Sequence, residues 1–211
     1  MTEYRDANGR RLADYPRPSV AVDTAVLTVP VGGALSVVQV RDQSDGDWRL
    51  PGTFVHEGER LADAVLRSLR DKAGVTGLAP RQLHVFDDPS RDDRGWVLSV
   101  AHLDVVPAAS LDLGDNARLL PASEATGMVH GHDDILGFAV ARLRADHRGA
   151  PDPHGLLSSP FTMSALRGLH EAVLGERLLP DSFRRAMAPL LTATDAKAAE
   201  GPGKPATLYL R

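Results

Sequence analysis

The chain has 211 residues, 43% hydrophobic and 25% charged, with a formal net charge of −4 and no cysteine. That length allows one ordinary domain, or one with a small accessory module, and the apolar content is that of a globular chain. The missing cysteine excludes a disulfide scaffold, Cys-ligated zinc and thiol catalysis, and the near-neutral charge gives no global sign of nucleic acid binding. The charge is unevenly spread. From Pro151 onward seven Lys/Arg stand against six Asp/Glu, so the acidic excess belongs to the earlier part. The first eighteen residues lack a secretory apolar run, and the longest apolar stretch, 25–35, is broken by Pro30, Gly32 and Gly33. A soluble cytoplasmic protein with no membrane partner is expected.

In chain order, the Val- and Thr-rich stretch 19–29 reads as a strand, 30–33 as a turn, 35–40 as the returning strand, and 48–52 as a third extended piece. The period then changes. Leu61, Val65 and Leu69 recur at i, i+4, i+8, with Ala64 and Leu66 beside them, predicting a helix over 60–73 closed by Gly74. Strands follow at 83–86 and 96–106, on either side of the polar loop 87–95. A second helix over 133–146 carries Ile135, Leu136, Ala139, Val140 and Leu143 on one face. The segment 147–160, rich in Pro, Gly and Ser, marks a boundary. Beyond it, Thr162 can cap a helix with apolar Met163, Leu166, Leu169, Val173 and Leu174, ended by Gly175. A short helix with Phe183, Ala186, Met187 and Leu190 on its core face is stopped or kinked by Pro189, and two strands at 190–194 and 206–210 complete the chain. The expected fold class is α+β. A mixed sheet with flanking helices spans 1–148, a linker spans 149–160, and a winged helix-turn-helix spans 161–211.

The segment 50–75, LPGTFVHEGERLADAVLRSLRDKAGV, resembles a Nudix box, G-x5-E-x7-R-E-U-x-E-E-x-G-U. Glu59, Arg67, Leu69, Gly74 and Val75 match. Thr53 replaces the opening Gly, and Ser68, Asp71 and Lys72 replace the three helical glutamates. Positions 68, 71 and 72 share one face of a helix, the face that in active enzymes concentrates carboxylates for Mg²⁺. Lys72 adds positive charge where that cation would sit. No catalytic residue, metal or cofactor is expected, and Glu59 with Arg67 is read as architecture that ties the loop to the helix.

A degenerate Nudix domain followed by a winged helix resembles the Nudix-related transcriptional regulator (NrtR) family. The resemblance extends to Tyr15-Pro16-Arg17-Pro18 and to the run 88–101, DPSRDDRGWVLSVA. It also includes His132-Asp133-Asp134-Ile135-Leu136, the tail segments 161–166 (FTMSAL) and 182–185 (SFRR), and 203–209 (GKPATLY). Ser182 and Lys204 depart from the family's Asn and Arg, and Pro189 interrupts a stretch that is usually continuous. The resemblance implies a DNA-binding repressor that senses ADP-ribose or a related NAD metabolite and controls NAD or pentose genes. It implies a homodimer on a palindromic operator. DNA contact would fall to Thr162, Ser164, Ser182, Arg184, Arg185 and Lys204.

The residues point the same way. With Phe183, Ala186 and Met187 facing inward, Arg184 and Arg185 project outward, where a recognition helix meets the major groove and arginine can grip phosphate or read guanine. Two exposed arginines on a small helix could equally be solvated; their place in a helix-turn-helix-wing pattern favours DNA. The cluster His130-Gly131-His132-Asp133-Asp134 could imitate a metal site, but acidic residues at a helix start suit the macrodipole. The loop 91–95 could be a solvated turn; the alternative is that Arg94, with Arg17 and Arg49 near the sheet entry, pairs with a diphosphate, and these arginines with Glu59 are the expected ligand-binding residues. The rival reading is an active Nudix pyrophosphohydrolase with an appended nucleic-acid-binding module; a third is a DNA binder with no effector.

Overall fold

Alternating Val, Ala and Thr residues build β1 (Ser19–Thr28), buried on both faces from Ala21 onward. It forms the centre of the first sheet in a computed structural model that describes residues 4–41, 46–198 and 205–211. β1 pairs antiparallel with β2 (Ser36–Arg41) and with β4 (Gly52–Phe54), and parallel, from Ser19↔Val97 to Leu27↔Val105, with β6 (Val97–Val105). β3 (Trp48–Arg49) pairs antiparallel with the last residues of β2, Val40 and Arg41, and β5 (Arg81–Phe86) is an edge strand on β6. The expected strands are all present. β7 (Ala117–Pro121), antiparallel to β2, is an addition. Five residues ending in proline carry no alternation to read, and β7 owes its conformation to its pairing.

Helices cover both faces of this sheet. α1 (Leu61–Ser68) sets Ala64 and Val65 against Val22, Val26, Val38 and Val40. α2 (His132–His147) sets Ile135, Leu136, Ala139 and Leu143 against Ala25, Leu27, Val37 and Leu103. The single helix expected over 60–73 is instead α1 followed by a π-helical turn, Leu69–Ala73. The wider turn keeps Leu69 and Ala73 on the core while turning the intervening residues outward. Gly74 closes it in the left-handed region at φ 73°, where a Cβ would lie 2.8 Å from the backbone nitrogen of Gly114.

β8 (Phe161–Thr162), α3 (Met163–Leu174), α4 (Pro180–Met187), β9 (Thr192–Lys197) and β10 (Thr207–Leu210) form a winged helix with sheet order β8-β10-β9. Thr162 Oγ1 accepts from the Ala165 amide at 3.1 Å and caps α3; Gly175 ends it at φ 75°. Phe161, Leu166, Phe183, Met187 and Tyr209 make a separate small core. Ala186 and Leu190, expected to face inward, are exposed, Leu190 because α4 ends at Met187. On an eight-residue helix, Phe183 and Met187 at i and i+4 already supply the buried stripe. Lys204 lies outside the described residues.

The segment 149–160 is packed. Asp152 is buried, accepts from the amides of Leu156 at 2.9 Å and Leu157 at 3.0 Å, and pairs with Arg211 at 3.1 Å. Leu156, with Leu169 and Val173 of α3, joins the same apolar cluster as α2. At the end of α2, Arg144 Nε donates to the Val173 carbonyl at 3.1 Å. The His147 ring stacks on His154 at 5.7 Å and meets His170 edge-on at 5.4 Å. Burial holds both His147 and His170 below the ordinary histidine value of 6.5. The fold therefore favours their neutral rings, while the unfolded chain takes up protons near pH 6.5. Their contribution to stability is present above that value and is lost as pH falls below it. Urea midpoints measured from pH 8 to pH 5 should decline below about 6.5, and His147→Phe with His170→Phe should flatten the decline; an unchanged slope would contradict this assignment.

Candidate functional site

The central strand carries a buried carboxylate into the sheet. Asp23 of β1 lies opposite Gly52 of β4, where a Cβ would come within 1.9 Å of its Oδ1, so only glycine permits the approach. Asp23 Oδ1 stands 3.2 Å from His132 Nε2, its Oδ2 accepts from Ser99 Oγ at 2.5 Å, and Arg91 lies 4.0 Å away. The Leu50 amide donates to His132 Nδ1 at 3.1 Å. A ring that accepts at Nδ1 is neutral and carries its proton on Nε2, so His132 donates to Asp23. Burial alone would raise the Asp23 carboxyl, but His132, Ser99 and Arg91 outweigh it and hold it below the usual range.

Above this floor is a cavity of about 110 Å³ lined by Asp23, Arg49, Gly52, Thr53, Phe54, Lys72, Arg94, His130 and His132. Three cations converge on it. Arg49 is buried. Lys72 Nζ donates to the Gly52 carbonyl at 2.6 Å. Arg94 lies 5.1 Å over the Phe54 ring and grips Asp92 through Nε at 2.8 Å and a terminal nitrogen at 2.7 Å, which holds that carboxyl at about 2. His130 adopts the left-handed region at φ 59° just before Gly131, and its carbonyl accepts from Arg91 at 2.6 Å. The cavity is below the 300 Å³ or more typical of a whole small-molecule site. With Asp23 in the floor and Arg94 paired to Asp92, the lining keeps a small positive excess.

Of the expected ligand residues, Arg49 and Arg94 meet in this cavity. Arg17 is exposed ahead of β1 and Glu59 faces elsewhere; neither lines it. Glu59 binds Arg67 through both oxygens, each at 2.8 Å, and accepts from the His56 amide at 2.9 Å, which brings its carboxyl down to about 2. Arg67 also donates to the Phe54 carbonyl at 3.0 Å and Thr53 Oγ1 at 3.2 Å, so the pair fastens the loop to α1.

The face expected to unite positions 68, 71 and 72 is dispersed by the π turn. Ser68 is buried, and its hydroxyl has no hydrogen-bond partner among the described residues. Asp71 turns outward to Arg70 at 2.8 Å, and only Lys72 reaches the cavity. Asp133 accepts from the Gly127 and Met128 amides at 2.7 and 2.9 Å and so fixes the loop before α2. Among the described residues, the three side chains close enough to share a cation are Asp92, Asp93 and His130, and Asp92 is already engaged by Arg94.

Asp23, Lys72, His130 and His132 were not foreseen as pocket residues. The signal for Asp23 was a lone carboxylate inside an otherwise apolar strand. On the winged helix, Thr162, Ser164, Arg184 and Thr207 line a cavity of about 300 Å³. Arg185 and Ser182 are exposed on α4, 3.4 Å apart. Among the described residues no helix is long and apolar enough to cross a membrane.

Comparison with known proteins agrees with this architecture. Residues 18–136 match the NUDIX domain family, and residues 153–210 match the NrtR DNA-binding winged helix domain. The chain is 27% identical over 210 residues to the ADPR responsive transcriptional repressor NtrR of Acinetobacter baylyi, covering 93% of this chain and 83% of the relative. It is 30% identical to Shewanella oneidensis NrtR in a crystal structure complexed with a 27mer DNA, with a TM-score of 0.71 and 90% and 92% of the two chains covered. An ADP-ribose pyrophosphatase of Methanocaldococcus jannaschii is 32% identical over 118 residues, 56% of this chain and 68% of that protein.

His132→Ala would strip Asp23 of a partner and leave the Leu50 amide unsatisfied. Losing a hydrogen bond to a charged group costs about 1.5–3 kcal/mol, and urea unfolding should report a loss of that order. A loss below about 1 kcal/mol, the net value of one ordinary hydrogen bond, would mean that the contact does not hold the site together.

Proposed function

We propose that this chain, which belongs to the Nudix family and within it to the NrtR regulators, is a DNA-binding transcriptional repressor whose Nudix pocket senses ADP-ribose or a related nucleotide without hydrolysing it. The observation that carries the reading is α2. One continuous helix brings His132 to the cation-lined pocket at its start and packs Leu143 and Arg144 against α3 of the winged helix at its end. A diphosphate among Arg49, Lys72 and Arg94 would meet charge-assisted donors without a metal ion. Hydrolysis, in contrast, needs carboxylates to hold a divalent cation over that diphosphate. Ser68 is buried, Asp71 is turned to Arg70, and Lys72 occupies the remaining position with the wrong charge.

On the winged helix, Arg184 and Arg185 project from α4, and the α3 start offers Ser164 and backbone amides to phosphate. One such unit reads a half-site, so two copies on a palindrome follow. The relatives support both halves of this reading, one named as ADP-ribose-responsive and one complexed with DNA. The rival, an active pyrophosphohydrolase, draws on the archaeal ADP-ribose pyrophosphatase.

Two measurements separate the readings. With Mg²⁺ or Mn²⁺, purified protein should release no AMP from ADP-ribose above background; turnover abolished by Asp71→Ala would establish the rival. Arg184→Ala should weaken operator binding by about 1–3 kcal/mol if the side chain reads a base. Unchanged affinity in both Arg184→Ala and Arg185→Ala would remove α4 from the interface.

A further inference from the structure

The outer face of α2 presents an aromatic that the fold holds in place but does not bury. Phe138 is 46% exposed. Its ring stacks on His84 of the edge strand β5 at 4.6 Å with planes 22° apart, and Phe86 meets it edge-on at 6.0 Å. This is an oriented anchor, with little side-chain entropy left to lose on docking. Asp134 and Arg142 lie four residues to either side of it, both exposed, so all three run along one i±4 ridge of the helix.

That spacing is self-complementary. Laid antiparallel against a copy of itself about a two-fold axis through Phe138, the ridge sets each Asp134 opposite the other copy's Arg142. A residue pattern that satisfies itself under a two-fold axis is the mark of an isologous contact. An apolar centre flanked by charges is the anatomy of an interface. The intrachain partner of Arg142, Asp146 at 3.0 Å, is an exposed i,i+4 pair of small worth and does not compete strongly.

We infer that the α2 ridge Asp134–Phe138–Arg142 is the seam through which a second copy of this chain docks. The inference rests on the homodimer in the functional reading above. It places the seam on the helix that joins pocket to winged helix, so a shift in either would move the two recognition helices relative to each other.

The cysteine-free sequence makes the test direct. Phe138→Cys in the full chain should oxidise to a covalent dimer, whereas Val31→Cys, on a fully exposed turn outside the ridge, should stay monomeric under denaturing electrophoresis. By sedimentation, Asp134→Arg and Arg142→Asp should each weaken self-association about tenfold or more, and the double exchange should restore it. If the wild type dimerises but both reversals leave its dissociation constant unchanged and Phe138→Cys does not link, the seam is elsewhere and the dimeric regulator stands. If the wild type sediments as a monomer at every concentration, alone and on operator DNA, the seam and the homodimer reading fall together.

Discussion

The hydrogen bonds that converge on His132 hold the molecule's parts in register. The ring accepts from the Leu50 amide and donates to Asp23, and each partner belongs to a different piece of structure. Asp23 is in the middle of the central strand, Leu50 begins the loop that runs into the degenerate Nudix box, and His132 is the first residue of α2. An uncompensated carboxylate in a sheet interior would be severely destabilising, so the presence of Asp23 obliges the start of α2 to sit where it does. The same carboxylate excludes any side chain at position 52, which leaves room for the backbone of β4 and opens the cavity above it.

From that fixed end α2 runs to the winged helix. Its last turns share an apolar cluster with Leu156, Leu169 and Val173, and three histidines close the junction. The intervening segment is anchored by Asp152, so the two domains meet through packed contacts rather than through a loose tether. Motion between them then requires repacking of a core, and packed cores change between discrete arrangements more readily than they deform. The Glu59–Arg67 pair serves a separate purpose. It fastens the Nudix loop to α1 through a contact made within the chain.

Much of the fold was legible because its signals are local. The Val/Thr run of β1, the i, i+4 spacing of Leu61 and Val65, Thr162 as a cap, and Gly74 and Gly175 as helix stops each act within a turn or two of chain. The π turn at Leu69–Ala73 was hidden because Leu69 continues the apolar spacing whether the turn is α or π. The pocket was legible only in part. Arg49 and Arg94 were legible as arginines near the sheet entry that could pair with a diphosphate. Asp23 and its partner Ser99 are 76 residues apart, and no spacing rule joins them until β1 and β6 are laid side by side. Lys72 was read for the metal it would repel, but it also lines the cavity where an anion would rest.

If the Nudix pocket and the winged helix are energetically linked through α2, each ligand must change the other's affinity by the same factor. ADP-ribose titrated calorimetrically into the protein, alone and saturated with operator DNA, should bind about 5–150-fold more weakly to the DNA complex, and operator affinity should fall by the same factor when ADP-ribose is present. Equal ADP-ribose affinity in the two titrations would contradict the account, because a ligand that does not distinguish the two states cannot shift the balance between them.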